Sequence, residues 1–245
     1  LVSKQYKEHF DIWLKYLEEQ GYRNYWEVLN AKDYGVAQNR ERVFVVSIRN
    51  DVECDFVFEE KMELTKTLSD YLDVEVDEKF YVDDAKVKQF IENVKGSCDF
   101  ENSTLGTCHV RNNLSFSTRD RVFNVEKESP TLTATMYKDP PKILIEKKVK
   151  QVGNIVYGVD GISPALNTVG GGGLEPKIVT NIKTVDADNY RIRKLTPIEC
   201  WRLMGFNEED FYKVKEVCSN SQIYKQCGNS IVVPVLESIF RKMFQ

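Results

Sequence analysis

Apolar positions first recur along the chain with a helical period. Phe10, Trp13, Leu14 and Leu17 fall on one face, Ser3 stands where an N-cap belongs, and Gly21 stands where the helix should end. The period then changes. Tyr25–Leu29 predicts a strand, and after a polar turn Arg42–Ile48 predicts another. This second run is nearly continuous in β-branched and aromatic residues, the pattern of a strand covered on both faces of an α/β sheet. Helix, strand, turn, strand is the closing part of a doubly wound lobe.

The character shifts near Cys54. Residues 55–100 are acidic, with one predicted helix at Asp84–Lys95 that puts Val87, Phe90, Ile91 and Val94 on one face before Gly96. Residues 101–188 are rich in Thr, Ser, Asn, Pro and Gly with short apolar alternations, which predicts strands and loops. An internal repeat lies in this region. Ser129-Pro130-Thr131-Leu132-Thr133-Ala134-Thr135 leads to Pro141-Lys142-Ile143, and Ser163-Pro164-Ala165-Leu166-Asn167-Thr168 leads to Pro176-Lys177-Ile178. Two copies are too few for a solenoid but suffice for two similar strand–loop–strand units. Helical order then returns. Thr196-Pro197-Ile198-Glu199 spells a capping box with proline at the first helical position, and Gly205 marks a stop. A further helix is expected to start near Ser219–Ser221, and a last one covers Val233–Met243.

Composition narrows the class. With 245 residues, 42% of them apolar and 29% charged, the chain can build a sizeable core. No run of 18 apolar residues exists to span a membrane. The net charge of −4 argues against a uniformly basic nucleic-acid binder. The average conceals a division, because residues 51–99 hold about fifteen acidic against about six basic side chains, and 100–155 about nine basic against about six acidic. A polyanion should meet the second stretch and avoid the first. Six scattered cysteines without a Cys-x-x-Cys pair, and only two histidines, point to no metal site and to a reducing cytoplasm.

Three stretches carry a family resemblance. Gln38-Asn39-Arg40-Glu41-Arg42 resembles the Gln-x-Arg-x-Arg motif, the eighth, of the DNA cytosine-5 methyltransferases of bacterial and phage type. Arg193–Phe206 is similar to their ninth motif and Gln226–Val235 to their tenth, in the same order and with a variable region of family-like length between the first two. The resemblance implies a partial Rossmann-like methyltransferase lobe, formed by 1–54 and 189–245, and a smaller, mixed, mainly β target-recognition domain over 55–188. It implies S-adenosylmethionine as cofactor, met by Asn229 and Ser230, and Arg40 and Arg42 at the pocket of a flipped cytosine. It implies double-stranded DNA as partner, with Gln38, Arg111, Arg119, Arg121, Thr133, Thr168, Gly171 and Gly172 facing it. Gly228-Asn229-Ser230 reads as the entry to a helix, where free N–H groups suit a carboxylate. Glu199 reads as a cap. Gly170–Gly173 lacks the Lys-Ser/Thr of a phosphate loop and reads as a flexible hairpin.

The family's covalent chemistry also needs a nucleophilic cysteine in a Pro-Cys dipeptide, an acid in Glu-Asn-Val and a glycine-rich cofactor loop. None of the seven prolines precedes a cysteine, and Glu92-Asn93-Val94 follows the eighth motif instead of preceding it, so it is read as coincidence. The expectation is therefore a C-terminal portion whose N-terminal catalytic half is supplied in cis or as a separate chain. A naturally separate DNA-binding specificity subunit of a split methyltransferase is the alternative.

Overall fold

The computed structural model describes residues 2, 5–93, 104–107, 121–146, 156–158, 177–179 and 190–244. Helix α1 (Lys7–Glu19) opens at Tyr6 without a side-chain cap, and Ser3 lies outside the described residues. It ends at Gly21, whose φ of +87° is a conformation that residues with a Cβ rarely adopt. Phe10 is its one buried side chain and meets Trp26 edge-on, with ring centroids 5.2 Å apart.

Strand β1 (Tyr22–Asn30) pairs antiparallel with β2 (Glu41–Arg49), with Tyr22 opposite Arg49 and Asn30 opposite Glu41. The expected strand is present, but it is not covered on both faces. Val46 and Ile48 are buried, while Val43, Phe44 and Val45 are only half-buried. The sheet has two strands among the described residues, so β2 has β1 as its only neighbour there.

The second sheet joins β3 (Thr104–Thr107), β4 (Arg121–Phe123), β5 (Lys142–Glu146) and β8 (Tyr190–Lys194) in that order, with only β4 and β5 parallel. Strands β6 (Val156–Gly158) and β7 (Lys177–Val179) form a separate parallel pair. Helix α2 (Asp84–Asn93) covers the second sheet, with Val87 and Phe90 against Leu105, Val122, Leu144 and Ile192. It matches the predicted helix up to Asn93, and Val94–Gly96 lie outside the described residues. β8 pairs with β5 along its whole length, so the strand leading into the ninth-motif segment belongs to the sheet of 104–146.

Helices α3 (Pro197–Arg202), α4 (Glu208–Val217), α5 (Asn220–Asn229) and α6 (Val233–Met243) complete the chain. The capping box forms as read, with Thr196 Oγ1 accepting from the Glu199 N–H and the Glu199 carboxylate accepting from the Thr196 N–H. Ser219 caps α5. The sequence reading missed α4. Asn207 caps it, but Glu208-Glu209-Asp210 hides its start and only Phe211 is buried. One continuous core runs from Leu29, Tyr34 and Ala37 through Leu68 and Leu132 to Leu203, Ile223 and Ile239, so segments far apart in sequence exclude water together.

Candidate active-site and DNA-facing clefts

The segment between β1 and β2 turns sharply, and Asn30 makes the turn. Its Oδ1 accepts from the N–H groups of Lys32 (3.3 Å) and Arg40 (3.1 Å), while its amide donates to Asn39 Oδ1 (2.7 Å). This delivers Gln38, Arg40 and Arg42 to three different places.

Gln38 was expected at DNA. It is instead wholly buried, donating to the Leu203 carbonyl (2.8 Å) while its Oε1 faces the Leu132 N–H (3.5 Å). The flanking backbone pairs with Ser129, through Ser129 N–H to Ala37 O and Asn39 N–H to Ser129 O. With its amide filled by protein on both sides, Gln38 joins the eighth-motif segment to the ninth and to the first repeat copy.

Arg40 is also buried, and its guanidinium is spread over three backbone carbonyls: Leu132 (2.5 Å), Gly228 (3.1 Å) and Ser230 (2.8 Å). Desolvation, and then the charge of Arg42, pull its pKa down to about 10, which leaves it a cation at neutral pH. A lysine could not reach three such acceptors from one point charge.

Arg42 is exposed and donates to the Glu41 carbonyl (2.6 Å). It lines a cleft of about 310 Å³ together with Leu29, Val43, Val45, Asn229, Ser230 and Ile231. The structure thus brings the four residues assigned to target base and cofactor to one place, with Arg40 beneath as anchor and Arg42 free to contact a ligand.

The local reading of Gly228-Asn229-Ser230 needs correction. These residues close α5 and do not open a helix. Ser230 donates both its N–H and its hydroxyl to Gln226 O, and α6 begins only at Val233, whose N–H is taken by the Met204 carbonyl. The helix-entry argument for a carboxylate therefore does not apply to them. What they offer is the exposed Asn229 amide and the Ser230 side chain beside an apolar wall of Val43, Val45 and Val235. A polar end facing an apolar wall suits one part of an amphiphilic ligand such as S-adenosylmethionine, and the volume is at the small end for such sites.

Gly228 carries a requirement that the sequence did not reveal. A Cβ there would fall on the backbone of Thr133 and Ala134, where α5 meets the first repeat copy. Gly228→Ala is therefore expected to destabilise the fold by about 1–3 kcal/mol, because backbone must move to admit the methyl. Chemical denaturation would show it as a lower midpoint with an unchanged slope. An unchanged midpoint would mean that the packing there is loose.

The second cleft, about 230 Å³, lies on the other side of the same segment. Arg121, Thr131, Thr133, Thr135 and Asp139 line it with Phe123, Met136 and two prolines. Arg121 and Thr133, both expected at DNA, therefore share a site. Arg111, Arg119, Thr168, Gly171 and Gly172 lie outside the described residues. Asp139 holds Lys142 (2.6 Å) and Lys194 (3.1 Å). Burial would raise its carboxyl, but the hydrogen bonds and charges of the two lysines outweigh burial and keep it below the usual range. The cleft is net positive, as an anionic ligand requires.

Two thiols sit in the packing between α3 and α5. Burial raises Cys200 well above the ordinary thiol range and pushes Cys227 up to about 12, so neither is a nucleophile at neutral pH. Under native conditions at pH 8, alkylation is expected to mark Cys54 and Cys218, which are partly exposed, and to reach Cys200 and Cys227 only on unfolding. Rapid native labelling of Cys227, read by peptide mass, would contradict this packing.

The fold and these clefts are those of an α/β methyltransferase. The chain superposes on DNMT2 from Spodoptera frugiperda with a TM-score of 0.57 at 17% identity, covering 99% of this chain and 64% of that one. It superposes on the methyltransferase EhMeth of Entamoeba histolytica with a TM-score of 0.54 at 16% identity, covering 99% and 58%. All 245 residues match the C-5 cytosine-specific DNA methylase model, and the chain belongs to that family. Among curated relatives, the type II methyltransferase M2.ScrFI of Lactococcus lactis subsp. cremoris is 35% identical across the whole chain, which spans 52% of that protein. The orphan methyltransferase M.SPBetaI of Bacillus phage SPbeta is 30% identical over 91% of the chain and 59% of its own length. The chain thus spans little more than half of these relatives. None of the described helices is long and apolar enough to cross a membrane.

Proposed function

We propose that this chain is the DNA-reading and site-closing portion of a DNA cytosine-5 methyltransferase acting in the cytoplasm. One observation carries the reading: a single buried guanidinium, Arg40, ties the first repeat copy to the end of α5, and Arg42 lies in the cleft beside Asn229 and Ser230. Residues 1–54 and 189–245 serve the catalytic lobe, and 55–188 the target-recognition domain. Double-stranded DNA lies along the net-positive cleft of Arg121 and Thr133. Arg111, Arg119, Thr168, Gly171 and Gly172 add contacts to phosphates and base edges.

A cytosine must leave the stack before its ring can react. Arg42 donates to the carbonyl oxygen of the flipped base, where negative charge builds as carbon 6 is attacked. Arg40 acts through position, holding the backbone of Leu132, Gly228 and Ser230 so that both clefts keep their shape. Asn229 and Ser230 hold the polar end of S-adenosylmethionine, which when bound supplies the methyl group for carbon 5.

The attacking thiolate comes from a Pro-Cys outside these 245 residues. The purified chain is therefore expected to transfer no labelled methyl group to duplex DNA, and to do so only when joined to a polypeptide bearing that cysteine. Measurable transfer by the chain alone would overturn this division of labour.

A further inference from the structure

The internal repeat is also a structural repeat. In the first copy β4 leads through Ser129-Pro130-Thr131-Leu132 to β5, and the two strands pair in parallel with Val122 opposite Lys142 and Phe123 opposite Ile143. In the second, β6 leads through Ser163-Pro164-Ala165-Leu166 to β7, again in parallel, with Val156 opposite Lys177 and Tyr157 opposite Ile178. The register is the same, and the second connection is one residue longer. Parallel neighbours joined by a short connection are unusual, and two in one chain with matching sequence mark a duplicated unit.

Burial separates what the copies share from what they do not. Val122, Phe123, Ser129, Leu132 and Ile143 are buried in the first copy. Their counterparts are Val156, Tyr157, Ser163, Leu166 and Ile178, the same residues or one ring hydroxyl away. The polar rim of the 230 Å³ cleft behaves in the opposite way. Arg121, Thr131, Thr133 and Thr135 correspond to Ile155, Ala165, Asn167 and Val169, and every one differs. A scaffold kept while its rim is replaced is what two different readouts require. A threonine hydroxyl serves many acceptors, whereas an asparagine amide matches the edge of adenine.

We propose, on the DNA-binding reading given above, that residues 121–146 and 155–179 are two copies of one DNA-reading unit with different readouts, so that the chain carries two target specificities. The first copy shows how such a unit is mounted. Leu132 is fully buried, its N–H faces Gln38 and its carbonyl accepts from Arg40, while Thr131 Oγ1 donates to Asn39 O (2.5 Å).

The test is selection of bound duplexes from a randomised pool. It is run with the unaltered chain and with a variant whose first copy carries the second copy's rim: Arg121→Ile, Thr131→Ala, Thr133→Asn, Ala134→Thr and Thr135→Val. The unaltered chain should enrich two unrelated sequences. The variant should bind one of them roughly 5- to 150-fold more weakly and keep the other. Its thermal midpoint should fall by only roughly 1–6 °C, reflecting the lost Thr131 hydrogen bond. Leu132→Asp, which leaves an unpaired charge in the seat, should fall much further. One enriched sequence from the unaltered chain, or a variant as unstable as Leu132→Asp, overturns the duplication of function while leaving DNA binding intact. If no sequence is enriched, both the DNA reading and this one fall.

Discussion

Glu199→Ala is expected to lower stability by about 3–5 kcal/mol, one of the largest single-residue losses this fold can show. Arg193 and Glu199 are 2% and 0% exposed and form a two-pronged pair, with N–O distances of 2.7 and 2.8 Å. The same carboxylate accepts from the N–H groups of Thr196 (2.7 Å) and Asp73 (2.9 Å), so it joins β8, the start of α3 and the loop after Tyr71. Removing it strands a buried guanidinium and two buried donors at once. For a chain of this size the loss corresponds to a fall of roughly 6–20 °C in thermal midpoint. Arg193→Met combined with Glu199→Ala should recover part of it, since the unpaired charge then goes while the two N–H groups still lack an acceptor. Scanning calorimetry of the single and double variants decides the matter. A Glu199→Ala chain within about 1 kcal/mol of the parent would show that water reaches the site and that the pair is not sealed.

Glu199 also marks where sequence reading ends. Its capping role was legible because Thr196 and Glu199 stand at the required spacing, but nothing in the spacing shows that the cap also neutralises Arg193. The same division holds throughout. Helix periods placed α1, α2, α5 and α6, and the β-rich runs placed β1 and β2, because local burial patterns write themselves into local sequence. The Gln38–Arg42 motif announced a site, yet the sequence could not say that Gln38 and Arg40 face inward. Their partners are backbone carbonyls and N–H groups some 90 to 190 positions away, and a carbonyl has no residue identity to read. Gly228 was misread for a related reason. Glycine at a turn and glycine under a crossing backbone look alike until the crossing strand is in place.

The two arginines of that motif should therefore fail in different ways when truncated. Arg40→Ala withdraws the donor from three carbonyls in or beside the core, a loss on the order of 2–5 kcal/mol that appears as a lower thermal midpoint before any effect on chemistry. Arg42→Ala removes an exposed side chain whose protein partner is its neighbour's carbonyl, so the midpoint should hardly move. In the complete methyltransferase its effect should fall on turnover. A charge-assisted hydrogen bond that strengthens as charge builds on the cytosine is worth about 2–4 kcal/mol in the transition state, a rate loss of roughly 30- to 1000-fold. Duplex affinity should change little, since it is dominated by phosphate contacts spread over many residues. Arg119→Ala, on the phosphate-contact reading, should do the reverse, weakening binding and flattening its salt dependence with turnover at saturation nearly intact. Arg42→Lys tests the geometry, because a lysine keeps the charge but not the planar fork, and only partial recovery of the single-turnover rate is expected. Melting temperature, duplex affinity and single-turnover rate, measured on all four variants, separate an anchor from a base contact. Normal turnover by a stable Arg42→Ala enzyme would move the base contact away from this cleft.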